Sequence, residues 1–141
     1  MPELTRVIEL AEKNNVKFVS LWFTDVLGSL KSLTIGVNGL AAAFREGRGF
    51  DGSSIEGFAR IDESDMVAMP DPSTFSLLPW RNHGSAPMAK LFCNIHKPDG
   101  EPSTTDPRGV LRRSLDKAAE MGFDYMVGPE LEYFYFKNSA I

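Results

Sequence analysis

Two strand-like runs on either side of one short turn constrain this chain more than any other feature. Residues 17–24, KFVSLWFT, concentrate aromatic and β-branched residues and read as a strand. DVLGSLKS follows as a turn and SLKSLTIGV as a second strand, so the pair predicts a hairpin. Upstream, Leu4, Val7, Ile8, Leu10 and Ala11 fall on one helical stripe over residues 3–14, with Pro2 at a favoured helix start. Downstream, Asn38 is the expected N-cap of a short helix, GLAAAFREG, closed by Gly47. DMVAMPD reads as a short strand, PSTFSLLPWRNHGSAP as irregular with a short strand inside it, MAKLFCNIH as a strand and KPDGEP as a turn. The expected fold class is α+β: a mixed sheet with a short helix, ending near residue 100.

A different segment follows. Asp106 is placed to cap a helix, Pro107 takes its first position, and RGVLRRSLDKAAEM carries it to Gly122. FDYMVGPELEYFYFKN is then strongly strand-like, broken at Gly128-Pro129. One helix and these strands cannot bury their own faces, so they read as the opening of an incomplete second domain. A chain of 141 residues has room for one small domain and a piece of another.

Composition narrows the function classes. With 43% hydrophobic and 24% charged residues the chain is ordinary for a soluble globular protein. A net charge of −4, and no basic cluster longer than Arg112-Arg113, argue against nucleic acid as a partner. No apolar run approaches the roughly 20 residues of a membrane helix. MPELTRVIELAEKNN carries acids and lacks an apolar core, so no signal peptide is expected and cytoplasm is the default. The single cysteine, Cys93, sits in the apolar run AKLFCNIH and reads as a buried, inert thiol.

Two stretches carry candidate chemistry. In FDGSSIEGF, residues 50–58, Phe50 and Phe58 are expected to anchor a structured loop. Gly52 and Gly57 permit unusual backbone angles, and Asp51, Ser53 and Ser54 offer groups that cap backbone or meet a ligand. In GPELEYFYF, strand spacing sends Glu130 and Glu132 to one face with Phe134 and Phe136, while Leu131, Tyr133 and Tyr135 take the other. A strand covered on both faces would bury two like charges, a cost that divalent cations with oxygen ligands relieve. Alternatively, both glutamates lie at a solvated strand end, and the spacing leaves both readings open. His83 and His96 have no nearby ligand partner and read as surface or turn residues. Arg60, Asp62, Glu63 and Asp65 read as a solvated charged stretch, and neither G-x-x-x-x-G-K-[ST] nor G-x-G-x-x-G is present.

Taken together, FTDVLGSLKS, FDGSSIEGF, ESDMVAMPD, DPRGVLRR and GPELEYFYF resemble, in order and over nearly the whole chain, the N-terminal part of a type I glutamine synthetase. SIEGFARIDESD is similar to the shorter branch of that family found in Gram-positive bacteria and archaea. Two positions depart from the pattern: Leu131 where the family usually has Pro, and Ala68 where it has a larger aliphatic residue. Neither removes a functional group.

The resemblance implies an N-terminal helix over 1–14, a β-grasp domain over 15–102 and the truncated start of a catalytic domain over 103–141. It implies ATP-dependent ligation of ammonium to glutamate through γ-glutamyl phosphate, with two Mg2+ or Mn2+ ions in the full enzyme. Glu130 and Glu132 match the first two metal-ligand positions. Asp51 matches the residue that binds ammonium and takes its proton, and Ser54 lines the same pocket, which belongs to a neighbouring subunit in a ring of six within a stacked homo-oligomer. Arg60 matches a position at that interface, facing substrate or a feedback ligand. No nucleotide-binding residue falls in this chain, and the chain alone is expected to be inactive. Two other readings stay open: a relative ligating glutamate to another amine, and a truncated, non-catalytic β-grasp interaction module.

Overall fold

The computed structural model describes residues 2–55, 65–81 and 86–138, apart from the side chains of Pro2, Ser54 and Arg81. Helix α1 spans Pro2–Lys13, strand β1 Phe18–Thr24, β2 Leu30–Gly36, α2 Leu40–Glu46, β3 Arg48–Asp51, β4 Asp65–Pro70, β5 Ser76–Leu77, β6 Met88–His96 and α3 Pro107–Glu120. The sheet runs β2-β1-β6-β4-β3, with β5 also paired to β6. β1 and β6 are parallel and every other pairing is antiparallel. The mixed α+β architecture expected from the sequence is present.

Local chemistry explains each step of this path. The β1–β2 turn closes on Asp25, whose Oδ1 accepts from the backbone N–H of Leu27 at 3.0 Å and of Ser29 at 2.8 Å. Lys31 lies 3.2 Å from its other oxygen. After β2 the chain crosses through a 3-10 turn, Val37–Gly39, into α2. The cap differs from expectation: Gly39, not Asn38, is the N-cap residue, and no side chain caps this helix. The 3-10 turn draws Asn38 into its own hydrogen-bonded register, one residue too early to cap. α2 ends at Gly47, whose φ of 71° lets the chain reverse directly into β3.

Strict alternation builds the core. Ala89, Leu91, Cys93 and Ile95 of β6 are buried on one face, as are Val19, Leu21 and Phe23 of β1 and Met66 and Ala68 of β4. α1 covers that face with Val7 and Ala11, and α2 adds Leu40. Each large aliphatic side chain buried here contributes about 1.5–3 kcal/mol. Burial pushes the Cys93 thiol up to about 12, so it stays protonated as the sequence predicts. The opposite face carries Trp22 against Phe92, with ring centroids 5.9 Å apart, and the Lys90 ammonium 4.0 Å from the Phe92 centroid.

One expectation is overturned. Residues 123–136 form no strand, and their large side chains are exposed, Phe134 by 86% and Tyr135 by 91%. The alternation is real, but no described strand offers the backbone partner or the covering face that a strand requires. Glu130 and Glu132 are therefore exposed rather than held on a doubly covered strand.

Candidate functional site at the FDGSS loop and the paired glutamates

Asp51 is the last residue of β3. Pairing with β4 places Phe50 opposite Met66 and Asp51 opposite Asp65. The Phe50 ring is half-buried and packs on Phe23 of β1 with centroids 4.9 Å apart, so the strand end is tied to the core. Asp51 then turns the chain: its Oδ1 accepts the Ser53 N–H at 2.9 Å and the Ser53 hydroxyl at 2.6 Å. These bonds cap a single 3-10 turn, Gly52–Ser54, which closes when the Ile55 N–H donates to the Gly52 carbonyl at 3.1 Å. Gly52 is buried and Ile55 packs against the core, while Asp51 and Ser53 are exposed. The described anchors of the loop are thus Phe50 and Ile55. Phe58 and Arg60, like His83, lie outside the described residues, as does the side chain of Ser54.

The Ser53 hydroxyl, then the Ser53 N–H, hold the Asp51 carboxyl below its usual 3.8, because both bonds favour the ionised form. An exposed, firmly ionised carboxylate is well suited to binding a cation. It is a weak base while solvated, since a base works best with a pKa near the operating pH.

Glu130 and Glu132 stand on a separate element, the exposed segment after α3. Their carboxylates are the hard oxygen donors that Mg2+ or Mn2+ take, but two donors fall short of six-fold coordination. Among the described residues no group of three or more His, Cys, Asp or Glu is placed to hold a metal ion. The structure therefore places Asp51 and the two glutamates on separate, exposed elements.

Sequence reasoning missed the junction between the sheet and α3. Asp106 caps α3 as predicted, its Oδ1 accepting the Arg108 N–H at 3.2 Å, but its Oδ2 also accepts the Ile95 N–H at 3.0 Å. Arg108 reaches back with Nη2 to Asp71 Oδ2 at 2.7 Å and with Nη1 to Asn94 Oδ1. Burial alone would raise the Asp71 carboxyl, but the Ser73 hydroxyl and N–H and the Arg108 guanidinium together hold it below its usual value. DPR signalled a helix start, but nothing local in it points to an acid 37 residues earlier.

Comparison with known proteins places these features in one family. Residues 15–98 match the family model for the glutamine synthetase β-grasp domain, and residues 104–141 match that for the glutamine synthetase catalytic domain. The glutamine synthetase of Mycobacterium tuberculosis is 58% identical over 132 residues, covering 93% of this chain and 30% of the relative. That of Methanosarcina mazei is 48% identical over 134 residues, covering 95% of this chain and 30% of the relative. The chain thus spans about 30% of the length of the curated relatives it matches. A solved GmaS–ADP complex superposes with a TM-score of 0.73 at 26% identity, over 82% of this chain and 26% of that one. Plasmodium falciparum glutamine synthetase shares the fold, with a TM-score of 0.74 at 24% identity over 84% of this chain and 23% of that one. With both of its segments matched and its sheet shared with solved members, the chain belongs to the glutamine synthetase family.

Proposed function

We propose that this chain is the N-terminal part of a glutamate–ammonia ligase, a helix over 1–14, a β-grasp domain over 15–102 and the opening of the catalytic domain over 103–141. The observation that carries the reading is the Asp51 loop: an exposed, ionised acid bonded to Ser53 at a strand end, between half-buried Phe50 and buried Gly52. Its substrates are glutamate, ammonium and ATP. The solved GmaS relative in complex with ADP supports a nucleotide in the family site. Glutamate is activated as γ-glutamyl phosphate and ammonia displaces the phosphate.

Asp51 binds ammonium as a cation, and Ser54 lines the same pocket. When a neighbouring subunit closes over the loop, loss of water raises the Asp51 carboxylate and makes it a better base, so it accepts the proton that ammonium must lose before attack. Glu130 and Glu132 each supply oxygen ligands to one of two divalent cations, Mg2+ or Mn2+. Those ions neutralise charge on the transferring phosphoryl group. Arg60 faces the same interface, toward substrate or a feedback ligand. Assembly is a stacked homo-oligomer of six-membered rings, and the compartment is the cytoplasm. No helix among the described residues is long and apolar enough to cross a membrane.

The test is glutamine formation by a complete subunit carrying this sequence, with glutamate, ATP and Mg2+ or Mn2+. Ammonium is offered against small alkylamines. Preferred use of ammonium supports the reading. Preferred use of an alkylamine makes the protein a ligase of another amine. Absence of any turnover by correctly assembled protein contradicts the ligase reading itself and favours a non-catalytic module.

A further inference from the structure

We propose that Arg108 is a positioning residue that sets the angle at which α3 leaves the sheet and so fixes where the Asp51 loop stands relative to the catalytic domain; its consequence for catalysis rests on the ligase reading above, its geometry does not. α3 barely packs on the sheet. Val110 through Lys117 are all exposed, and only the first turn, Pro107 to Gly109, and Ala118 are half-buried. The orientation of the helix is therefore set where it begins.

Three bonds act there. Asp106 Oδ2 accepts the Ile95 N–H, which fixes the start of the helix at one point on β6. A helix held at one point can still swing about it. The Arg108 guanidinium removes that freedom, because its two nitrogens bond side chains from different places. Nη1 meets Asn94 on β6, and Nη2 meets Asp71, just beyond the end of β4. The fork bridges the end of β4 to β6, and β4 is the strand paired with β3, which carries Asp51. The Asp71–Arg108 pair is well shielded, with side chains 14% and 29% exposed, whereas Arg112 approaches Asp71 only to 3.8 Å and is 60% exposed. A planar fork suits this task, since a lysine is a point charge and cannot hold two acceptors in a fixed plane.

The test is a distance distribution between spin labels at Ser32→Cys on β2 and Asp116→Cys on α3, both exposed positions, in the 141-residue chain. Cys93 is fully buried and stays unlabelled. The wild-type background should give one narrow distance. Arg108→Met should give a distribution about twofold broader, since both anchors of the fork are lost, and Arg108→Lys should fall between them. Asn94→Ala, which removes one anchor and keeps the helix cap, should also be intermediate, so the proposal survives a failure of Arg108→Met to fold. A purely stabilising role would lower the melting temperature and leave the width unchanged. Equal widths in all folded variants, or a wild-type distribution as broad as that of Arg108→Met, would overturn the proposal.

A complete, assembled subunit supplies the catalytic half. Arg108→Met should raise KM for ammonium roughly tenfold with KM for ATP nearly unchanged, below the roughly 10²-fold cost that a 1 Å misplacement of reacting groups can reach. Broadened distances with unchanged ammonium KM would refute the positioning role. No turnover by wild type in that assay would count against the ligase reading and not against the clamp.

Discussion

At the scale of single residues, charge state decides what Asp51 and Asp71 do. Asp51 is exposed and held ionised by Ser53. Replacing it by Asn in a complete subunit keeps the shape of the turn and removes the charge. Ammonium-dependent turnover should fall by about 10²–10⁴-fold, the usual contribution of a positioned acid or base. The melting temperature should be nearly unchanged, because no core cavity opens. A large drop in melting temperature would recast Asp51 as a structural residue.

Asp71 gives a pH signature with a definite sign. Its carboxyl titrates below 3.8 in the folded chain, so the unfolded chain takes up the proton at a higher pH. The stability it contributes is full above 3.8 and is lost as the pH falls through the lower folded value. At neutral pH Asp71→Asn should cost on the order of 1.5–3 kcal/mol, the scale of a hydrogen bond to a charged group. Denaturant titrations of both chains at several pH values should show that gap shrinking in acid. A gap that grows in acid would contradict the assignment.

At the scale of elements, the turn from α2 into β3 is packed closely against β4. A Cβ on Gly47 would overlap Val67 Cγ1, lie 2.5 Å from Met69 Sδ and sit on a backbone with φ of 71°. Gly47→Ala should therefore destabilise the chain by roughly 2–4 kcal/mol, combining left-handed strain with overpacking. Chemical denaturation measures this, and a change near zero would mean that β4 yields easily. The exposed apolar segment after α3 behaves in the opposite way. A chain ending at Gly122 should melt close to the temperature of the longer one and bind less of a hydrophobic dye. Loss of cooperative melting would show that the segment supports the sheet.

These elements also show what the sequence made legible. The β1–β2 hairpin, β6 and the Asp106 cap were readable because their signals are local: alternation over consecutive residues, and a cap beside its helix. β3 is only four residues long, and its strand character comes from β4, so FDGSS read as loop from its first residue. The parallel pairing of β1 with β6 joins Phe18 to Met88, and the Arg108–Asp71 bond also joins distant positions, so no local pattern announces either. Residues 123–136 carry the alternation of a strand, but pattern alone supplies no partner. For the candidate site, the identity of Asp51 was readable and its anchoring by Ile55 was not. The spacing of Glu130 and Glu132 was readable, but among the described residues no group of three or more His, Cys, Asp or Glu is placed to hold a metal ion.

At the scale of the whole molecule, the account is one of shared sites. The chain carries Asp51 in the segment matched as β-grasp domain and Glu130 and Glu132 in the segment matched as catalytic domain, all three exposed. Alone it should make no glutamine from glutamate, ammonium and ATP, and it should bind Mg2+ or Mn2+ only weakly, since affinity follows ligand number and rigidity. Measurable turnover, or tight stoichiometric binding by calorimetry, would contradict that. The most direct test of sharing uses complete subunits of two kinds, Asp51→Ala and Glu132→Ala, each inactive alone, mixed under conditions that let rings exchange. If the loop serves a neighbour, an equal mixture should recover activity, because about one interface in four then pairs an intact loop with an intact metal site. No recovery in rings proven to be mixed would mean that Asp51 acts within its own subunit, and the shared-site account would be wrong.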